Sequence, residues 1–340
     1  MRRLEYLIKR LLLAILVLAS VSVITFLIAR VLPSDPAAAW VGPRPTQEQI
    51  ARARVELGLD QPLGMQYLKF ISNVLRGNLG VSIKSHQPIA TELRTYLPAT
   101  LELVLASLAL AVVIGIPLGV LSGAYKGGWL DNLTRVISIA GVSIPTFWLG
   151  LILQLIFFRQ LGWLPLNGRI SNDVALNHPV IPVTGFYLID TLLKGNWAAF
   201  RDALWHLILP AVALASYSVG LAIRMTRSTM IEVLNEKYIL AARVAGLPKR
   251  TILFVLALKN AIIPTLTVLS LSFVYSLTGA ILVEVIFSWP GLGSYVTDAV
   301  LSIDFPVIVS ATLVVTVFYV LVNLLMDLVQ AWLDPRIALR

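Results

Sequence analysis

Six apolar runs, each long enough to cross a bilayer, constrain this chain more than any other feature. They cover residues 11–29, 101–124, 136–158, 205–223, 262–287 and 306–330. A hydrocarbon core about 30 Å thick takes about 20 helical residues to cross. Lipid offers no partner to a free backbone N–H or C=O, so only helices and closed barrels span it. Continuous apolar runs of this length read as helical spans. The fold class they predict is an all-α membrane protein with six transmembrane helices. Composition agrees: 58% of residues are apolar and 13% charged, against about 45–50% and 25% in soluble domains.

The first run follows a basic start (Arg2, Arg3, Lys9, Arg10). A secretory signal has an apolar core of about 7–15 residues and a small-residue cleavage site. The run at 11–29 is too long, and Arg30-Val31-Leu32-Pro33 is a poor cleavage site. It reads as a retained first span, within a first segment of residues 1–30.

Lys and Arg in the connections set orientation. Placing both termini in the cytoplasm puts Lys126, Arg135, Arg224, Arg227, Lys237, Arg243, Lys249, Arg250 and Lys259 inside, with Arg336 and Arg340 in the tail. The outside connection 288–305 then carries Asp298 and Asp304 and no basic residue. The net charge of +9 follows topology in this way, which argues against a nucleic-acid partner. The segment 31–98 is basic as well, but long segments translocate largely regardless of charge. It reads as an external helical module. Thr46 can cap a short helix over 46–58, and Tyr67, Phe70, Ile71 and Val74 recur at helical spacing in a second over 61–75. The module either covers the outer mouth, receives a docking protein, or serves as a structural cap. Residues 99–340 are the transmembrane core, with an external loop at 160–203 and a polar connection at 226–261.

That connection holds the longest polar interruption on the basic side, residues 236–264. Its first helix runs into Ala241-Ala242-Arg243-Val244-Ala245 and stops at Gly246; Pro248 suits the start of a second. Ala241 and Ala245 stack at i,i+4, as do Ala242 and Gly246. This predicts a face almost without side chains, rimmed by Lys237, Arg243, Lys249 and Arg250. Such a face admits another protein's backbone closely. An amphipathic loop lying on an anionic membrane is the other reading.

The pattern Ala241-Ala242, Gly246, then Ile262-Ile263-Pro264 resembles the cytoplasmic "EAA" loop of ABC importer permeases. Within that group it is most similar to the dipeptide/oligopeptide/nickel permeases, although Leu240 stands where the general motif has an acid. The resemblance extends to Leu57-Gly58-Leu59-Asp60-Gln61-Pro62, Gly77-Asn78-Leu79-Gly80-Val81-Ser82, Pro98-Ala99-Thr100-Leu101-Glu102-Leu103, the insertion Gly185-Phe186-Tyr187-Leu188-Ile189-Asp190, the turn Ile286-Phe287-Ser288-Trp289-Pro290-Gly291-Leu292-Gly293, and Asp334-Pro335-Arg336. It implies a permease subunit in the cell membrane that pairs with a second, similar permease. Two cytoplasmic ATPases would bind a coupling helix formed by Lys237, Tyr238, Ala241, Ala242, Arg243, Ala245, Gly246 and Leu247, and an external substrate-binding protein would deliver cargo. The expected cargo is di- or oligopeptides, with short oligosaccharides or nickel as alternatives. ATP and magnesium would belong to the partner ATPases, and no cofactor or metal is expected in this chain.

The chain's own chemistry agrees with a transport role. No G-x-x-x-x-G-K-[ST], H-E-x-x-H or G-x-S-x-G occurs, cysteine is absent, and His86, His178 and His206 have no metal spacing. Glu102, Arg159, Glu284 and Asp327 sit near span ends and none near a centre. Proton relays and voltage sensors need mid-membrane charge, which argues against a secondary carrier or charged channel. A pathway would be lined by aromatic and small polar groups: Ser143, Phe147, Trp148, Gln154, Tyr217, Ser272 and Tyr275. For each aromatic, helix packing is the competing reading. Pro117, Pro145 and Pro210 fall in or near spans and predict kinks. Trp163, Trp205 and Trp289 lie at span ends and read as an interfacial belt. A non-transporting membrane scaffold is the remaining alternative.

Overall fold

The computed structural model describes residues 2–31, 36–42 and 44–333. Helices dominate, and among the described residues the one β-type pairing is an isolated bridge between Val81 and Pro88. In order they are α1 (Arg2–Val31), α2 (Pro36–Val41), α3 (Gln47–Glu56), α4 (Leu63–Leu75), α5 (Ile89–Leu110), α6 (Ile116–Ala124), α7 (Trp129–Ser143), α8 (Thr146–Leu153), α9 (Asn172–Asn177), α10 (Tyr187–Leu193), α11 (Trp197–Val233), α12 (Lys237–Val244), α13 (Lys249–Thr251), α14 (Leu258–Ile286), α15 (Leu292–Leu301) and α16 (Phe305–Leu333). Widened π-helical turns at Ala111–Gly115, Gln154–Gln160 and Ile252–Ala257 join α5 to α6, extend α8, and join α13 to α14.

Among the described residues five helices are long and apolar enough to cross a membrane, and a bent pair makes a sixth crossing if it counts as one span. That pair is α7 and α8, which meet at 109°. The straight span expected at 136–158 is therefore broken. Ile144 is extended (φ −81°, ψ 126°) because the ring of Pro145 disfavours the helical region for the residue before it. Pro145 then starts α8 without an N–H to satisfy. The other two expected kinks take different forms. Pro117 sits in the first turn of α6, just after the π-helical turn, and α11 continues unbroken through Pro210.

The described residues divide into two compact units, Met1–Leu97 with Ser294–Leu321, and Pro98–Gly293 with Val322–Arg340. In the first, α3 begins at a reciprocal capping box, in which Thr46 accepts from the Gln49 N–H and Gln49 accepts from the Thr46 N–H. Its apolar cluster joins Val309 and Leu313 to Val21, Phe70, Val74 and Phe305. Asp304 pins the 79–88 turn, accepting from the Ser82 hydroxyl (2.6 Å) and the Lys84 N–H (3.0 Å).

The second unit is built around α11, which packs on α6, α7, α8, α10 and α14. Gly115, Gly119 and Gly123 recur every four residues along one stripe. A Cβ there would come within 2.6–2.8 Å of the Cβ atoms of Ala222, Thr226 and Met230 on α11. Small residues let helix backbones approach closely, which is how membrane helices gain packing energy without a hydrophobic drive. Beneath the 287–291 turn the buried Glu284 carboxylate accepts from Thr100, and a side chain at Gly291 would land inside that carboxylate. Trp289 is 1% exposed and donates its indole N–H to the Ala99 carbonyl at 2.9 Å. It is a core residue, because its one polar group is satisfied by protein. Trp163 and Trp205 are exposed, as a belt requires, and Trp205 donates to the Trp163 carbonyl.

Candidate functional site

The 236–264 connection is a short helix socketed in the second unit. Helix α12 ends in a complete Schellman motif: the Leu247 N–H bonds to Ala242 C=O (3.1 Å) and the Gly246 N–H to Arg243 C=O (3.0 Å). Gly246 takes φ +73°, a conformation that glycine adopts at little cost. Ile239 and Ala242 are buried in a cluster with Val120, Met230, Ile252, Leu253, Ala257 and Ala261. Tyr238 accepts from the Asn260 side chain at 2.7 Å, and Arg243 donates to Leu234 C=O at 3.4 Å.

This geometry changes the expected docking face. Ala242 points into the socket and cannot stack with Gly246 on the open side. The open side carries Leu240 (61% exposed) and Val244 (82%), with Tyr238 and Leu247, around the small Ala241 and Ala245. Lys237, Arg243 and Arg250 are exposed around it. The face is therefore apolar with a cationic rim. Helical spacing alone could not say which alanine stripe faced the protein.

Two contacts that sequence reasoning missed brace the neighbouring turn 125–128. The Lys249 ammonium lies 4.0 Å over the Tyr125 ring. Asp131, fully buried in α7, makes a bidentate pair with Arg227 of α11 (2.6 and 2.9 Å) and accepts from Ser122 and the Gly127 N–H. In the sequence Arg227 reads only as one of the basic residues that set orientation, and Asp131 carries no signal of its own. No motif links positions 96 residues apart.

The expected pathway residues separate into two groups. Ser143, Phe147, Trp148 and Tyr275 are exposed, and the Tyr217 and Tyr275 rings lie 5.9 Å apart. Gln154 and Ser272 do not line an open surface. The Gln154 amide donates to the Leu166 and Ile286 carbonyls and ties the loop to α14. Ser272 is fully buried and bonds back to the Val268 carbonyl within its own helix. Short polar side chains in membrane helices satisfy themselves this way when no partner is near.

The loop 160–203 is fastened by charge. Arg169 donates to Glu102 at 2.5 Å and to Gly185 C=O at 3.1 Å, and its guanidinium lies 3.7 Å over the Tyr187 ring and 5.5 Å from that of Trp289. Glu102 also accepts from the Leu188 N–H. Burial disfavours the charged form of Asp190, but the Thr184 hydroxyl and the N–H groups of Thr184, Val183 and Gly185 outweigh it and hold its carboxyl below the usual carboxylate range. The side chain of Asp327 and the residues Asp334-Pro335-Arg336 lie outside the described residues.

In the first unit a cavity of about 290 Å³ is lined by Ser82, Lys84, Glu92, Tyr96, Tyr295 and Asp298, among others. Tyr96 and Tyr295 stack at 4.7 Å, and Tyr295 donates to Glu92 at 2.6 Å. Burial first, then the adjacent Glu92 carboxylate, pushes the Tyr295 hydroxyl far up.

Known proteins match this chain almost end to end. Residues 115–339 match the model for the binding-protein-dependent transport system inner membrane component, and residues 3–104 match the N-terminal model of the same system. A probable D,D-dipeptide transport system permease of Escherichia coli K12 is 46% identical over 95% of this chain and 94% of its own length. A di/tripeptide transport system permease of Pseudomonas aeruginosa is 42% identical, and the dipeptide transport system permease of Escherichia coli K12 is 40% identical, each over 98% of both chains. A chain of membrane-spanning helices with these matches is a transport component of an ABC importer complex and not an enzyme; it belongs to the family of binding-protein-dependent transport system inner membrane components.

Proposed function

We propose that this permease forms half of the pathway of a peptide importer and that α12 is the element its ATPase partner grips. The observation that carries the reading is the two-sided build of α12. Ile239 and Ala242 are buried beneath it, while Leu240 and Val244 stand exposed with cationic neighbours. Exposed apolar side chains inside a polar rim are the usual anatomy of a protein interface. A push on that face is delivered to α11 and α14, because Arg243 bonds to the Leu234 carbonyl at the end of α11, Tyr238 bonds to Asn260 of α14, and Thr229 of α11 bonds to the Ala261 carbonyl of α14 at 2.8 Å.

The arrangement supports the following assembly. A second, similar permease completes the pathway, two cytoplasmic ATPases hold one α12 each and use ATP with magnesium, and an external binding protein supplies cargo. Both termini and the 226–261 connection face the cytoplasm, while 31–98 and 160–203 face outward. Ser143, Phe147, Trp148, Tyr217 and Tyr275 are the pathway candidates. Such a surface has few fixed charges to exclude one peptide and admit another. The relatives named for dipeptide or di/tripeptide transport support short peptides as cargo.

The test is reconstitution of the full importer in proteoliposomes with a labelled dipeptide. ATP-dependent uptake is expected in the parent. Val244→Arg should abolish both uptake and co-purification of the ATPases while the permease still inserts. Dipeptide uptake with bound ATPases surviving that change would overturn the assignment of α12. An intact importer that moves no peptide would overturn the cargo.

A further inference from the structure

We infer that α4 is a membrane-immersed helix whose Met65, Leu68, Ile71 and Leu75 side chains lie against lipid acyl chains. The inference does not depend on the cargo or on which side of the membrane α4 occupies.

The first observation is depth. Tyr67 shares a 2.8 Å hydrogen bond with Ser22 of α1, and Phe26 of α1 packs against both Tyr67 (5.4 Å) and Phe70 (5.7 Å). The apolar span of α1 ends at Ile28. At 1.5 Å per residue, Phe26 and Ser22 lie about 3 and 9 Å inside that end. The apolar cluster that holds Phe70 and Val74 also contains Val309 and Leu313 of α16, whose span begins at Phe305. Those residues lie about 6 and 12 Å inside it. Two spans thus place α4 at the same level, about 3–12 Å below the edge of the apolar layer. Helices that lie in a membrane interface sit about 5–10 Å deep.

The second observation is the arrangement of side chains around α4. At about 100° per residue, Tyr67, Phe70 and Val74 share the arc facing α1 and α16. Met65, Leu68, Ile71 and Leu75 occupy the next arc, where Leu68 is 63% exposed and Leu75 83%. The third arc carries Lys69, Asn73 and Arg76, all exposed. A helix in water needs one apolar arc, for its core. Here a second apolar arc, unpartnered among the described residues, sits at the depth of hydrocarbon, and Ile24, Leu27 and Ile28 of α1 are exposed as well. Lys69 and Arg76 on the polar arc are placed to reach headgroup phosphates. Acyl chains are therefore the occupant that the position dictates.

The chain has no cysteine, so each single-cysteine variant adds one labelling site over the importer that carries the unsubstituted permease, which is labelled in parallel and subtracted. Leu68→Cys, Leu75→Cys and Asn73→Cys are made in the full importer, labelled with an environment-sensitive fluorophore, and reconstituted in nanodiscs. Quenching is compared between shallow nitroxide-bearing lipids and aqueous iodide. Labels at 68 and 75 are expected to be quenched by the lipid nitroxide and several-fold less by iodide than the label at 73. Iodide quenching at 68 and 75 equal to that at 73, without lipid quenching, would place the face in water and overturn the inference. Shielding from both quenchers would show a protein cover and overturn it equally. Two sites one turn or more apart keep the test readable if one variant misfolds.

Discussion

Arg169→Met should loosen the 160–203 loop by an amount the geometry sets. Arg169 and Glu102 are almost fully buried and paired at 2.5 Å. Removing one partner of a buried pair leaves an uncompensated charge and costs about 3–5 kcal/mol. That is roughly a 150- to 4,000-fold rise in the open population. The Arg169 Nε finds no hydrogen-bond partner among the described residues, so the pair is imperfectly compensated, and replacing both members by apolar groups should cost far less. The double variant Arg169→Met with Glu102→Leu still deprives the Leu188 N–H of its acceptor, a loss of about 1 kcal/mol. The expected order is therefore parent, then double variant about 1 kcal/mol below, then single variant about 3–5 kcal/mol below. Hydrogen exchange of residues 185–188 in the purified importer measures the open population directly. Tryptophan fluorescence follows the same event, since Trp289 lies 5.5 Å from the guanidinium. A single variant costing under about 1 kcal/mol, or a double variant as damaged as the single, would refute the claim that a buried charge pair fastens this loop.

Other expectations are narrower. Asp190 has a folded-state pKa below its unfolded value, so its contribution is complete above the ordinary carboxylate range of about 4 and is lost as pH falls through the depressed value. Pepsin cleavage near 183–190 should stay slow at pH 5 and accelerate at lower pH, and Asp190→Asn should be cleaved readily at pH 5. Gly119→Ala would place a methyl 2.6 Å from the Thr226 Cβ and 2.9 Å from the Ile223 carbonyl oxygen, so α6 and α11 must separate, at about 1–3 kcal/mol. A melting temperature unchanged from the parent would remove the tight-packing argument. Gly246→Ala meets no atom within 4 Å and should cost only the left-handed backbone conformation, about 1 kcal/mol. Uptake near the parent's is expected, and its abolition would mean that Gly246 makes a contact in the importer beyond its role in the turn.

The membrane fold, the helical elements and the helix–turn–helix form of the 236–264 connection were legible in the sequence for local reasons. Apolar runs are long because a bilayer has a thickness, and Thr46 with Gln49 or Gly246 with Pro248 act on backbone groups a few residues away. Which face of an element is covered depends on partners far along the chain, and there local reading failed. Ala241 and Ala242 are the same residue type one position apart, yet one is exposed and the other buried in the α12 socket. Trp289 reads as a belt tryptophan until Ala99 supplies its acceptor. Gln154 and Ser272 read as pathway polar groups until their hydrogen bonds are seen. Pairs such as Asp131 with Arg227 and Glu102 with Arg169 leave no local trace, because each member alone is only a charge near a span end. The sequence by itself determined that this chain crosses a membrane and breaks its basic side with a short helix that stops at Gly246, since bilayer thickness and backbone hydrogen bonding act on consecutive residues. Only the tertiary structure decided which side chains are free to meet a partner, peptide or lipid, since burial is settled by neighbours that the order of residues does not place side by side.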